Sequence, residues 1–204
     1  TTANFRGGAN KTDYDTYLTT DPARCLLGKP ATNISRANMR TYARNAGEEL
    51  LCYEWYKALY WLYVIEYGNF NCQLAYNAEL TAEGYKQGGL GSGVTTLDWA
   101  LWTSYNSNNP IVPCGYNYEI GNGTGVKSLT LTGYNENAGA TVSVPRWRGL
   151  CSPFGDIWTN VEGVYIQQMA EGADYKLVYG THNPEYFGET NEHMDYLGEE
   201  VRSE

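Results

Sequence analysis

Apolar side chains recur at Leu51, Trp55, Ala58, Leu62 and Ile65, the three-and-four spacing that turns one face of an α-helix toward a core. The pattern predicts a helix from about Glu48 to Tyr67 that stops at Gly68, with Glu48 and Glu49 at the positive end of its dipole. Tyr56, Leu59, Tyr60 and Tyr63 carry the apolar surface around most of the circumference. Such a helix is expected to be buried on several sides or to meet another subunit. Glu54 and Lys57, three apart, mark its wet strip. A shorter helix is predicted ahead of it, capped by Ser35, running to about Asn45 and stopped by Ala46-Gly47.

Beyond Gly68 the helical period disappears. Gly84-Tyr85-Lys86-Gln87-Gly88-Gly89-Leu90-Gly91-Ser92-Gly93-Val94-Thr95 reads as a glycine-shaped surface loop. It lacks the Gly-Lys-Ser/Thr ending of a phosphate cradle and the strand and helix that would flank a dinucleotide fingerprint. Gly121-Asn122-Gly123-Thr124-Gly125 is a hairpin turn signal. Ser128-Leu129-Thr130-Leu131-Thr132 and Thr141-Val142-Ser143-Val144 then alternate with period two, as half-buried strands do. Three regions follow: an extended, turn-rich segment over 1–32, a core over 33–169, and an acidic loop or insertion over 170–204. The domain is expected to continue past residue 204. The opening Thr1-Thr2-Ala3, with no initiator Met, points to a fragment or processed product.

Composition narrows the function classes. A net charge of −9 over 204 residues argues against nucleic acid and against an anionic membrane surface, both of which call for clustered Lys and Arg. No apolar run reaches the roughly 18 residues of a membrane span. The chain holds 19 tyrosines and 6 tryptophans but 4 phenylalanines. Tyr and Trp combine a large apolar body with one polar handle, which suits half-exposed recognition surfaces and the cores of loop-rich folds alike.

The inventory for catalysis is thin. The 2 histidines, His182 and His193, lie in the acidic tail, and no Gly-x-Ser-x-Gly elbow supports a serine nucleophile. The five cysteines (Cys25, Cys52, Cys72, Cys114, Cys151) contain no CxxC pair, so zinc-ribbon and thioredoxin readings fail. Cys52 reads as a buried small hydrophobe. A disulfide among the other four is open, and sequence selects none. Glu192-His193-Met194-Asp195 matches no ligand spacing and reads as a solvated loop. Oxygen donors at Asp156, Asn160 and the acidic tail suit a structural calcium ion, whose sites need no rigid motif. No other cofactor is expected.

Two stretches carry a family resemblance. Pro153-Phe154-Gly155-Asp156-Ile157-Trp158-Thr159-Asn160-Val161-Glu162-Gly163 resembles the Gly-Asn-Val-Trp-Glu-Trp signature of the formylglycine-generating-enzyme-like (sulfatase-modifying-factor) branch of the C-type lectin fold. Gly155, Ile157 and Trp158 take the Gly, Val and first Trp positions, Asp156 replaces Asn, and Thr159-Asn160 depart from Glu-Trp. Upstream, Gly47-Glu48-Glu49-Leu50-Leu51-Cys52-Tyr53-Glu54-Trp55-Tyr56 resembles that branch's second helix. Over about residues 33–165, Ser35 to Asn45, Tyr60 to Tyr67, Gly84 to Thr95 and Trp147 to Gly155 are similar to phage and prophage surface proteins of gut bacteria. These include tail and head fibre tips and retroelement-diversified variable proteins.

The resemblance implies an α+β, C-type lectin-like fold: two helices packed on a small twisted antiparallel sheet with long ordered loops. Glu54, Trp55, Trp147, Phe154, Gly155 and Trp158 would be its structural signature, with Trp147, Phe154 and Trp158 as buried anchors. The oxidase branch uses a pair of reactive cysteines in the C-terminal part of the domain. Cys151 stands alone in its segment here, so a non-enzyme is expected. The implied role is a virion or extracellular-surface recognition domain that binds a bacterial surface glycan or protein. Exposed loop residues Tyr105, Asn106, Asn108, Tyr116, Asn117, Tyr118, Tyr134 and Asn135 are its candidate contacts. Capsid decoration or fibre assembly, with other virion proteins and further copies of the chain as partners, is the alternative; a formylglycine-type oxidase comes third.

Overall fold

The computed structural model describes residues 35–93, 112–130, 140–154, 159–169 and 175–201. Among them are two α-helices and two antiparallel three-stranded sheets, a mixed α+β structure with two small sheets in place of one. The described residues fall into two compact units. One lies within Leu62–Trp158; the other combines Ser35–Trp61 with the chain from Thr159 onward.

Helix α1 (Arg36–Asn45) sits where its caps place it. The Ser35 hydroxyl accepts the Asn38 N–H at 3.3 Å, and the Ala46 N–H closes on the carbonyls of Tyr42 and Ala43. Helix α2 (Tyr53–Tyr67) begins later than its apolar pattern suggests. The chain ahead of it is held extended: Glu162 N–H donates to Leu51 O (2.9 Å), and Tyr53 N–H donates to Glu162 O (2.7 Å). Those bonds take the backbone groups that another helical turn would need.

Helix α2 also faces the opposite way from expectation. Trp55, Leu62 and Ile65 are 69%, 56% and 78% exposed, and Leu51 and Ala58 are exposed with them. Tyr63 and Tyr67 are buried, and Tyr56 and Tyr60 are partly buried. Tyrosines at positions 56, 60, 63 and 67 follow helical spacing as faithfully as the aliphatic set, so an all-round apolar helix offers two stripes to choose between. Trp55, part of the signature, therefore stands on the exposed stripe. Lys57 pairs with Glu54 at 2.7 Å on the strip expected to be wet.

In the Leu62–Trp158 unit, strands β1 (Gly125–Thr130), β2 (Thr141–Trp147) and β3 (Leu150–Cys151) form one sheet in that order. The alternation of β2 is literal: Val142 and Val144 are buried between exposed Thr141 and Ser143, and they pack with Val112, Leu129, Tyr116 and Ala140. Between β2 and β3, Arg148 (φ 49°) and Gly149 (φ 86°) are both left-handed, the backbone of a tight two-residue hairpin.

A second cluster gathers the end of α2 with the Trp147 segment. The Tyr63 ring meets Trp147 at 6.1 Å, Phe154 at 5.7 Å and Tyr67 at 4.4 Å. Trp147 Nε1 donates to Glu66 Oε2 at 3.0 Å, and Arg148 Nε donates to the same oxygen at 2.6 Å. Burial, with the Glu66 carboxylate second, pushes the Tyr67 hydroxyl up to about 12, so it stays neutral. The glycine-rich stretch is not a surface loop throughout. Gly88, Gly89 and Leu90 are buried against residues 72–77, where a Cβ on Gly88 would come within 2.4 Å of Ala75 O. Two of the expected anchors, Trp147 and Phe154, are thus in the core; Gly155 and Trp158 lie outside the described residues.

In the second unit, the acidic segment expected as loop contributes two strands. Strands β4 (Val164–Gln168), β5 (Tyr175–Gly180) and β6 (Asp195–Val201) form a sheet in that order. The β5–β6 ladder contains a bulge: Tyr179 faces Tyr196, while Val178 faces Gly198. Just before β4, Gly163 adopts φ 76°, and a Cβ there would meet Thr181 O at 2.4 Å, so no larger residue fits.

Trp147→Ala removes the indole from the centre of the aromatic cluster and leaves Glu66 without that donor. The expected cost is about 3–5 kcal/mol. Thermal or denaturant unfolding measures it, and an unchanged midpoint would refute the anchoring role.

Candidate functional site

Of the eight expected contact residues, the structure describes three, and it brings them together in the turn ahead of β1. Tyr105, Asn106, Asn108, Tyr134 and Asn135 lie outside the described residues. Tyr116 is committed inward: its hydroxyl donates to Ser128 O at 2.6 Å, and the Lys127 ammonium sits 4.4 Å from its ring centroid.

Asn117, expected to be exposed, is fully buried. Its Nδ2 donates to Pro145 O (2.8 Å) and Val144 O (3.3 Å), and its Oδ1 accepts from Arg146 Nη1 (3.3 Å). The buried amide works as a structural peg that satisfies strand carbonyls, so it offers no surface to a ligand.

Tyr118 is the residue presented. It is 66% exposed, and the Arg146 guanidinium lies 5.0 Å from its ring centroid. Arg146 is itself fixed, donating through Nε to Gly121 O at 2.6 Å and through Nη1 to Asn117. A cation held beneath an aromatic ring stabilises one orientation of it, which lowers the entropy cost of contact. Beside it, Lys127 pairs with Glu119 at 2.6 Å, and that bond holds the Glu119 carboxyl below its ordinary range.

In the other unit, the β4–β5–β6 sheet carries a row that the sequence reading missed. Tyr165 faces Tyr179, and Tyr179 faces Tyr196 across the ladder, with ring centroids 6.4 and 5.7 Å apart. Cross-strand partners share a face, so the three rings form one strip that ends at the 55%-exposed Tyr196. Desolvation, then the Glu199 carboxylate, raise the Tyr196 hydroxyl above its ordinary value. The available signal was the period-two spacing of Tyr175, Leu177 and Tyr179, obscured by the apolar Val178 between the last two.

A dense set of ionisable groups among the described residues is also in this unit. Arg36, Arg40 and Arg44 recur every four residues along one face of α1. Arg40 Nε donates to Glu162 Oε1 at 2.9 Å, and Arg36 and Arg40 bind the two oxygens of Glu189 at 3.1 and 2.5 Å. Arg36 and Arg44 also donate to the Gly188 and Pro184 carbonyls. Glu162 is completely buried, and its Oε2 has no hydrogen-bond partner among the described residues. The arrangement ties α1 to residues 184–189. Hydrogen bonds from Arg36 and Arg40 favour the charged form of Glu189.

The histidine loop offers no metal cage. His193 is exposed, with its ring 5.0 Å from that of Tyr186 and its nearest carboxylate on Glu192 at 3.6 Å. Among the described residues no group of three or more His, Cys, Asp or Glu is placed to hold a metal ion. Of the expected calcium donors, Asp156 lies outside the described residues, and Asn160 points its Nδ2 at Met39 Sδ (3.3 Å). Also among the described residues, no helix is long and apolar enough to cross a membrane. Compared with protein-family models, curated proteins and solved structures, the chain matches none.

The arginine cluster makes stability pH-dependent. Hydrogen bonds from Arg36 and then Arg40 hold the Glu189 carboxyl below its ordinary value of 4.5. A carboxyl with a lowered folded value contributes stability that is fully present above its unfolded value and is lost as pH falls through the folded one. The melting-temperature gap between wild type and Glu189→Gln is expected to be widest near neutrality and to close as pH drops below about 4.5. A gap that stays constant down to pH 3 would rule out the linkage.

Proposed function

We propose that this chain is a non-enzymatic recognition module with a C-type lectin-like fold. It stands on a virion or another extracellular surface and binds a bacterial surface glycan or protein. The observation that carries the reading is the Tyr118 ring, 66% exposed and seated on a guanidinium that is anchored from below. Amphipathic rings held in one orientation supply contact area at low entropic cost, which is how aromatic paratopes and sugar platforms work. The Tyr165–Tyr179–Tyr196 strip adds a second surface of the same chemistry. The virion setting and the finer fold name rest on the family resemblance.

A second reading, assembly with further copies or with other virion proteins, has its own support in the exposed apolar stripe of α2. Trp55, Leu62 and Ile65 present large side chains that water disfavours.

Glycan arrays and whole-cell binding with the purified chain test the first reading. Tyr118→Ala is expected to weaken binding roughly 10-fold or more while leaving the melting temperature within a degree or two, as loss of an exposed hot-spot ring should. Absence of binding by the wild-type chain to any glycan or cell would defeat it. For the second reading, Leu62→Glu with Ile65→Glu is expected to abolish any concentration-dependent association seen in sedimentation. A wild-type chain that stays monomeric at high concentration would remove that reading.

A further inference from the structure

We propose that Cys114 and Cys151 are an oxidisable pair, which exchange with a small-molecule disulfide closes into a cross-link between the Tyr118 turn and strand β3. The two are 37 positions apart, both are exposed, and both are free thiols in this structure.

Three features of the backbone bring them to the same place. Cys114 and Gly115 form the corner of a tight turn closed by the Tyr116 N–H on Pro113 O, with Gly115 at φ 74°, and a second turn closed by the Tyr118 N–H on Gly115 O follows directly. Cys114 thus stands in the turn segment that Asn117 holds against the sheet. Asn117 projects onto β2, where its amide rests on the Val144 and Pro145 carbonyls.

Cys151 is placed by the sheet. It lies directly opposite Arg146 in the β2–β3 ladder, and directly opposed residues share a face. The Arg146 guanidinium reaches Asn117 Oδ1, so this is the face on which Asn117 sits. Cys151 is therefore on the face of the sheet against which the Cys114–Asn117 turn is held. The two anchors converge on a single atom: Pro145 O accepts from Asn117 Nδ2 at 2.8 Å and from the Ser152 N–H at 2.9 Å. Consistent with that placement, the Cys114 thiol is raised above its ordinary value first by desolvation and then by the Cys151 sulfur.

The chemistry is thiol–disulfide exchange. One cysteine thiolate attacks a sulfur of glutathione disulfide and releases one glutathione thiolate. The second cysteine thiolate then attacks the protein sulfur of the mixed disulfide and releases the other. Two protein thiols are oxidised, one glutathione disulfide is reduced to two thiols, and the cysteine protons end on the released glutathione. Of the other described cysteines, Cys52 is buried and Cys72 is partly buried. The link would tether the turn that bears Tyr116 and Tyr118, yet its formation does not depend on any ligand-binding role for them.

The full chain, reduced and then equilibrated in glutathione buffers of increasing oxidised fraction, is quenched in acid and digested without reductant for mass spectrometry. The expected result is a dominant Cys114–Cys151 linked peptide, with the oxidised chain melting on the order of 5–10 °C above the reduced one. Cys151→Ser is expected to match the wild-type melting temperature in reductant, to lose the oxidative rise, and to carry glutathione on Cys114. Independent glutathionylation of both cysteines in the wild type would overturn the proposal. So would predominant pairing of either one with another cysteine, or a Cys114–Cys151 link that lowers the melting temperature.

Discussion

Glu162 is the residue on which the helical unit depends. Its backbone bonds on both sides to the chain at Leu51 and Tyr53, which fixes where α2 can begin. Its side chain, fully removed from water, meets Arg40. A buried carboxylate is tolerated only while a cation stays beside it. The position of α1 is thus set by an electrostatic requirement, with Arg36, Arg40 and Arg44 on one helical face and their acceptors at Glu162, Pro184, Gly188 and Glu189. Gly163 follows directly and lets the backbone turn where the Thr181 carbonyl leaves no room for a side chain.

Tyrosine serves two purposes in this chain, and the difference lies in what each hydroxyl and ring face meets. Tyr63 and Tyr67 stack inside the Leu62–Trp158 unit, with the Tyr63 hydroxyl donating to the Asn71 carbonyl. Tyr116 spends its hydroxyl on Ser128 and one ring face on Lys127. Tyr118 has Arg146 beside its ring and Gly115 close by, and leaves most of its surface to solvent. The same residue type fills a core where its polar tip finds a carbonyl, and makes a contact surface where an arginine supports it from one side.

Local signals in the sequence translated well. The Ser35 cap, the stop at Gly47, the end of α2 at Gly68 and the alternation of Thr141 to Val144 are each decided by one or two neighbouring residues, and each appears where the pattern placed it. Choices settled by distant partners did not translate. The start of α2 depends on Glu162, more than a hundred positions away, and the buried face of α2 depends on what its tyrosines pack against. Asn117 looked like a loop amide because nothing nearby announces the Pro145 carbonyl it satisfies. The Arg36-Arg40-Arg44 spacing was visible in the sequence, but its acceptors were not. Strands β5 and β6 were hidden by their polar residues and by the irregularity at Gly198.

That irregularity has a consequence for charge. In an unbroken strand Tyr196, Gly198 and Glu200 would share one face, and Glu199 would sit on the other. The extra residue at Leu197 reverses the parity beyond it, so that Glu199 follows Tyr196 onto the tyrosine side. Glu200 is sent to the opposite side, where Lys176 comes within 3.8 Å. One additional residue in the chain sorts two adjacent carboxylates, giving one a counter-ion and leaving the other as the acidic border of an aromatic strip. A regular strand of the same residues, with no bulge, would exchange their places without altering the protein's net charge.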